Sequence, residues 1–339
     1  MKVWLKGLGL LVRLPTVAIA LFFLWASSNT VPKQDYASVV EYGAPATQAK
    51  DSYTIVSYNL GYLSGLVNNT TQKPTRDFFD DNQRQAIAAL ESVQPDIVGF
   101  QEIDIDAKRS YGVNQVREMA KGLDMGMAAI TINWDKNYLP FPYWPISAHF
   151  GKILSGQAIV SRYPVESNNR IVLERVKKSF VYNAFYLERL AQVSKVRLGE
   201  QSLVVINVHL EAFEEETRVR QTQFVRSLAE DYAQDFPVII MGDFNSALNR
   251  SSFITATGEN LGERQFSIKE MLASDQLAAA MPETEWGSDS ATFPADAPEY
   301  KLDYLFYTSN TIEVLNTQVI SAAAQASDHL PVMMQFRLK

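Results

Sequence analysis

The chain has 339 residues, 47% of them apolar, a formal net charge of −7 and no cysteine. This is enough apolar material for one α/β domain of roughly 250–300 residues, and nothing requires a second. Without cysteine there is no disulfide framework, thiolate zinc site or cysteine nucleophile, so any metal must be held by oxygen and imidazole.

The first residues read as an address. Lys2, Lys6 and Arg13 precede the apolar run Leu14 to Trp25, and the small residues Ala26, Ser27 and Ser28 follow, which predicts a signal peptide or signal anchor over residues 1–28. Twelve residues are short for a membrane span, but with Arg13 snorkelling the span lengthens to Gly7–Trp25, so cleavage and anchoring stand as alternatives. Either way, export is expected, to the periplasm or the extracellular space. Residues 29–52, with Pro32 and Pro45, read as a tether.

Removing residues 1–28 takes away three basic groups and no acidic ones, so 31 against 38 becomes 28 against 38, a net charge of about −10. Proteins that neutralise many backbone phosphates carry the opposite balance, which disfavours long nucleic acid as a partner.

From residue 53 to 339 strands and helices alternate. Strands are predicted at Tyr53–Tyr58, Ile97–Phe100 and Met127–Ile132, with helices at Asp80–Gln94 and Gln115–Leu123. Leu190–Leu198 and Gln201–Leu210, joined by Gly199-Glu200, read as a hairpin. The helix Glu214–Gln234, with Val219, Phe224, Leu228 and Tyr232 as its expected buried stripe, leads into the strand Val238–Met241. Lys301–Tyr307, Glu313–Ile320 and Val332–Leu338 read as late strands. So many strands with few helices between them suit two packed sheets with helices outside.

Polar residues recur beside these apolar runs: Asn59 in SYNLGY, Glu102 in DIVGFQEID, His209 in VINVHLEA, Asp243 and Asn245 in MGDFNS, Asp303 in KLDYLFY, and Asp328 and His329 in SDHLPV. Left unpaired at a buried strand end, each costs several kcal/mol, so their recurrence points to one shared polar site. The natural contents of such a site are a hard metal ion and a phosphate. With only His149, His209 and His329 present, and no HExxH-like spacing, a carboxylate-held Mg²⁺ or Mn²⁺ is expected rather than zinc.

The ordered series SYNLG, DIVGFQE, GQAIVSRYP, VINVHLEA, MGDFNS, LDYLFY and SDHLPV resembles the endonuclease/exonuclease/phosphatase superfamily, which includes DNase I-like nucleases, inositol-polyphosphate phosphatases and neutral sphingomyelinases. The resemblance covers roughly Tyr53 to Leu338. It implies an α/β four-layer sandwich of two packed mixed sheets flanked by helices, with the site at their common mouth. It also implies roles: Glu102, Asn59 and Asp328 as metal ligands, Asp243 and Asn245 orienting water and phosphate, and His329 as base or cationic clamp. Asp303 would fix the His329 tautomer, and His209 would bind a phosphate oxygen or protonate the leaving group.

The segment 133–156 crowds Trp134, Tyr138, Phe141, Tyr143, Trp144 and Phe150 around three prolines, and reads as a stiff aromatic loop between two strands. Trp134, Trp144 and His149 are the candidate substrate contacts here, with a packed loop and a structural histidine as the plain alternatives. Asn69-Thr70-Thr71 and Asn249-Arg250-Ser251 match glycosylation sequons, which count only in a eukaryotic secretory route.

The resulting expectation is an exported, Mg²⁺-dependent phosphoester hydrolase, monomeric, acting on lipid-like or small organic phosphates and held at the membrane through its N-terminal segment. A secreted endonuclease is the alternative. A non-catalytic module of the same fold would be expected to lack Glu102 or His329, and both are present.

Overall fold

The computed structural model describes residues 2–248 and 266–339, with side chains from residue 15 onward, so the sequon at Asn249 lies outside the described residues. In chain order the elements are α1 (Lys2–Ser27), β1 (Ala37–Glu41), β2 (Tyr53–Asn59), α2 (Arg76–Glu91), β3 (Ile97–Asp104), α3 (Gln115–Gly122), β4 (Met127–Leu139), β5 (Gly151–Ser161) and β6 (Val165–Val172). There follow α4 (Phe180–Phe185), β7 (Leu190–Leu198), β8 (Gln201–His209), α5 (Glu215–Tyr232), β9 (Val238–Asp243), α6 (Ile268–Leu272), β10 (Leu277–Ala279), β11 (Asp303–Thr308), β12 (Ile312–Val319) and β13 (Val332–Leu338).

They form a seven-stranded sheet, β1-β4-β5-β3-β2-β13-β12, and a six-stranded sheet, β10-β11-β9-β8-β7-β6. Both are mixed: β2 runs parallel to β3 and β8 parallel to β9, while the other pairs are antiparallel. One core lies between the sheets, around Ile55, Ile97, Val205 and Met241. A second packs α2 and α3 on the outside of the larger sheet, and a third packs α5 and α6 on the outside of the smaller. These are the two packed sheets with outer helices that the element pattern predicts, and the four-layer sandwich that the resemblance implies.

The strand period of two explains where the polar residues go. In β2 the parity that sends Tyr53 and Ile55 between the sheets also sends Ser57 and Asn59 there. In β8 Leu203 and Val205 share a face with Asn207 and His209, and in β9 Ile239 and Met241 share one with Asp243. Each strand is therefore apolar deep in the sandwich and polar at one end. Just below that end a buried network ties the sheets together: Gln101 donates to Asn207 Oδ1 at 2.6 Å, Asn207 donates to the Phe100 carbonyl at 3.0 Å, and Gln157 donates to the Asn207 carbonyl at 2.9 Å.

Three expectations need correction. Residues 29–52 are not a free tether, because β1 adds to the edge of the larger sheet beside β4. The cause is Asp135, a buried carboxylate on β4 that accepts from Thr30 N at 2.7 Å, Thr30 Oγ1 at 2.6 Å and Tyr36 Oη at 2.8 Å. The aromatic segment is not all loop: β4 runs to Leu139 and β5 begins at Gly151, leaving only residues 140–150 between them. On α5 the buried residues are Thr217, Arg218, Gln221, Thr222, Val225 and Ala229; of the expected stripe Leu228 and Tyr232 pack partly buried against the core, while Phe224 is exposed.

Among the described residues no helix is long and apolar enough to cross a membrane. Helix α1 ends against the domain, with Phe22 and Trp25 on Tyr138 and Phe23 on Phe180 and Phe185.

Asp135→Ala should strand four hydrogen-bond donors, Val31 N among them, and free the segment that it pins. A stability loss of about 2–4 kcal/mol is expected in denaturant unfolding, with new protease cleavage between residues 29 and 41. A variant as stable and as protease-resistant as the parent would show that Asp135 does not hold this segment.

Candidate active site

At the polar mouth, β11, β9 and β8 bring Asp303, Asp243 and His209 into one row, since Asp303 pairs with Asp243 and His209 with Asp243 across the ladder. The facing sheet supplies Asn59 and Glu102, and the turn before β13 supplies Asp328 and His329. Glu102 reaches the site through a distortion. By alternation with Gln101 it would point away from the gap, but the β3–β5 ladder shifts register between Phe100 and Ile103, and Glu102 has φ 46°. Asn245 has φ 50°. Left-handed backbone at a non-glycine residue costs on the order of 1–3 kcal/mol and concentrates at functional sites. Gly242 has no substitute ahead of Asp243, because at φ 145° a Cβ would lie 1.9 Å from the Val208 carbonyl oxygen.

Asp243 is the hub. Its Oδ1 accepts from Asn245 N at 2.8 Å and its Oδ2 from Asn59 Nδ2 at 3.0 Å. His209 Nε2 lies 3.5 Å and His329 Nε2 3.9 Å from the same Oδ2. Asp303 Oδ2 sits 2.8 Å from His329 Nδ1 and accepts from Thr292 Oγ1 at 2.6 Å, which fixes the imidazole orientation with Nε2 toward the cluster. Asn245 Nδ2 is occupied by the Leu210 carbonyl at 3.0 Å, so its amide braces the turn.

Glu102 and Asp328 share one amide, Asn68 Nδ2, at 2.9 Å and 3.3 Å. Sequence reasoning missed Asn68, which sits in the polar loop NNTT with no pattern around it. Asn59, expected as a metal ligand, spends its oxygen on Gly61 N at 3.1 Å and its nitrogen on Asp243, so it acts here as the strut for Asp243.

Burial and the Asp328 charge push the Glu102 carboxyl up to about 7. Burial likewise raises Asp243 to about 6, against the opposing pull of His329. Burial alone would lower His329, but Asp303 and Asp243 outweigh it and raise the imidazole to about 10. His209 falls well below its ordinary value, through burial and the nearby Arg189 and His329. Near neutral pH the site therefore holds a cationic His329, a neutral His209 and, in Glu102 and Asp243, two carboxyls that burial makes reluctant to ionise, a set that could accept a divalent cation.

Two places suit such an ion. Asp243, Asp303 and His329 bring ligand atoms within 4.8 Å of one another. In that triad, however, Asp303 and His329 are bonded to each other, and the Asp303 side chain is fully buried. Glu102 is more accessible and has Asp328 beside it, leaving room for the waters that a hard cation retains. The Glu102–Asp328 end is therefore the more open of the two for such an ion.

The site opens into a cavity of about 530 Å³. Its polar end is the cluster above. Its other walls are aromatic, including Trp134, Phe141, Tyr182, Phe185 and Tyr186. Between them lies Arg189, also missed from the sequence: it is buried, its Nη2 donates to Tyr186 Oη at 3.2 Å, its Nε sits 3.6 Å from Glu211 Oε2, and its Nη1 has no hydrogen-bond partner.

Of the expected substrate contacts, Trp134 lines the cavity with Nε1 donating to the Phe185 carbonyl at 2.8 Å. Trp144 and His149 do not line it. Trp144 is 76% exposed on the outer rim, and the His149 ring is held by Tyr138 Oη and the Tyr143 carbonyl.

The sequence model of the endonuclease/exonuclease/phosphatase family matches residues 56–329. The chain belongs to that family. UPF0294 proteins of two Vibrio cholerae serotype O1 strains are 31% identical over 157 residues, and the chain spans about half the length of these curated relatives, 46%, and 45% of itself. An endonuclease/exonuclease/phosphatase structure from Beutenbergia cavernae is similar at 18% identity and TM-score 0.57, covering 85% of this chain and 72% of that one. A mannosyl-6-phosphatase of Bacteroides thetaiotaomicron is similar at 16% identity and TM-score 0.56, covering 84% and 99%. The human Nocturnin catalytic domain with bound sulfate is similar at 15% identity and TM-score 0.55, covering 91% and 100%. At these identities the likeness establishes the DNase I-like fold and leaves the substrate open.

The charge states give a signed prediction. Folded Glu102 holds a proton that the unfolded chain releases, so metal-free protein loses stability as pH rises from about 4.5 toward 7; the His329 contribution, full below about 6.5, is lost as pH rises toward 10. A divalent cation must displace the Glu102 proton. The Mg²⁺-induced rise in melting temperature should therefore grow from pH 5.5 to pH 8 and shrink sharply in Glu102→Gln. A rise independent of pH and of Glu102 would place the ion elsewhere.

Proposed function

We propose that this protein is an exported, divalent-metal-dependent phosphodiesterase whose substrate joins a phosphoester to an apolar group, as in a phospholipid or sphingolipid headgroup. The observation that carries this reading is the single cavity that runs from the carboxylate and imidazole cluster into the aromatic limb of Trp134, Phe141, Phe185 and Tyr186. Apolar walls of this extent suit a hydrocarbon or amphipathic ligand better than a charged polynucleotide.

Family membership supports hydrolysis of a phosphoester, and the donor set supports Mg²⁺ or Mn²⁺ held by Glu102 and Asp328. When bound, such an ion would neutralise charge on the phosphoryl group. The protein groups do the rest. Asp243, raised toward neutrality and braced by Asn59 and Asn245, accepts the proton of an attacking water. His329, kept cationic by Asp303, donates from Nε2 to a phosphoryl oxygen. Neutral His209 hydrogen-bonds the phosphoryl or the departing oxygen, and Arg189 adds fixed positive charge beside it.

Because Asp303 and His329 act as a pair, each alanine substitution should cost about 3–5 kcal/mol of barrier, and the double variant should lose little more. Losses that add in a double-mutant cycle would separate the two roles. A panel of phosphatidyl lipid, sphingomyelin, inositol phosphate and plasmid DNA under matched Mg²⁺ tests the substrate. Lipid hydrolysis is expected to dominate, with EDTA abolishing it. Efficient plasmid nicking with every lipid untouched would favour the nuclease reading.

A further inference from the structure

Among the described residues, most large exposed apolar side chains lie on three elements around the outer end of the cavity. Val17, Ile19, Leu21, Phe22, Leu24 and Trp25 are exposed on α1, Tyr143, Trp144 and Ile146 on the loop 140–150, and Phe180 and Val181 on α4. Ring contacts join α1 directly to α4, through Phe23 on Phe180 and Phe185, and to the end of β4, through Phe22 and Trp25 on Tyr138, whose ring in turn meets His149 of the loop. Tyr143 and Phe185 also line the cavity, so this surface is continuous with the candidate active site.

Helix α1 shows why water is the wrong neighbour. From Pro15 to Leu24 almost every residue is exposed, so apolar side chains leave it in all directions. A helix apolar all round belongs in a protein core or in lipid. Contiguous apolar surface on this scale marks a docking site rather than ordinary exposure.

Charge identifies the partner. In a chain with 38 acidic residues, the segments 2–27, 136–152 and 175–187 contain no Asp or Glu. They carry Lys2, Lys6, Arg13, Lys136, Lys152, Arg175, Lys177 and Lys178 instead; Lys152 and Arg175 pair with Asp106 and Glu188, while Lys177 and Lys178 lie just ahead of Ser179 and Phe180. Exposed Trp and Tyr on an apolar face edged by Lys and Arg match a bilayer interface with anionic headgroups.

We propose that the loop 140–150 and α4 insert beside α1 into an anionic lipid surface, so that the cavity mouth faces the bilayer and substrate passes from it into the aromatic limb without crossing water. The proposal deepens the phosphodiesterase reading and rests on it for the identity of the substrate.

The absence of native cysteine allows single nitroxide labels on the full chain, at Trp144→Cys, Val181→Cys and, as a control on the exposed side of β12, Leu315→Cys. Power-saturation spectra in vesicles of phosphatidylglycerol and phosphatidylcholine should place labels 144 and 181 in the oxygen-rich, water-poor zone and label 315 in water. Near-ultraviolet dichroism confirms that each labelled chain is folded. Labels 144 and 181 left in water while the protein stays on the vesicles would overturn the proposal, leaving α1 as a simple anchor. Protection of 144 and 181 without lipid, together with a dimer in sedimentation, would overturn it in favour of a second copy of the chain. Immersed labels with no hydrolysis of any lipid would instead remove the phosphodiesterase reading and leave the docking face standing.

Discussion

Four carboxylates, Glu102, Asp243, Asp303 and Asp328, converge at one mouth of a sandwich that keeps two of them, Asp243 and Asp303, almost wholly from water, with too little protein charge to balance them. Much of the local structure answers to that constraint. Asn59 and Asn245 turn donors onto Asp243, Thr292 onto Asp303, and Asn68 onto both Glu102 and Asp328, while Asp303 obtains a counter-charge by holding His329 protonated. The strained backbone at Glu102 and the glycine before Asp243 follow from bringing the acids close. Desolvating this many like charges is unfavourable unless a cation is present. The arrangement therefore favours a positive charge among the acids, of which His329 supplies one.

The aromatic limb is the part of the cavity that bears on the proposed substrate. Structural likeness at 15–18% identity gives the fold alone, so the cavity walls must carry the argument about substrate. Tyr182 and Tyr186 stack with centroids 4.9 Å apart, and the Trp134 indole is fixed by the Phe185 carbonyl. These are rigid apolar surfaces, ordered before a ligand arrives, which lowers the entropic cost of holding a flexible chain.

Much of this was legible in the sequence because strand alternation is a strong signal. The hairpin of β7 and β8 and the strand β13 lie where periodicity places them, and the polar residue ending an apolar run gave Asp243, His209 and Asp303 directly. The unread parts share a physical reason. Buried polar residues that bind backbone leave no hydrophobic pattern: Gln221 faces inward on α5 because it accepts from Glu211 N and donates to the Glu174 carbonyl, which hides the true buried stripe. Asp135 captures residues 30–36 in the same way, so a stretch with few apolar groups read as a tether. Asn68 and Arg189 depend on contacts distant in the chain, and Trp144 is separated from Trp134 by the end of β4.

Diffraction from crystals soaked in Mn²⁺, recorded at the manganese absorption edge, tests the central claim most directly. The account predicts an anomalous peak coordinated by Glu102 and Asp328, with the bond between Asp303 and His329 intact. A peak held by Asp243, Asp303 and His329, or none at saturating Mn²⁺, would contradict it.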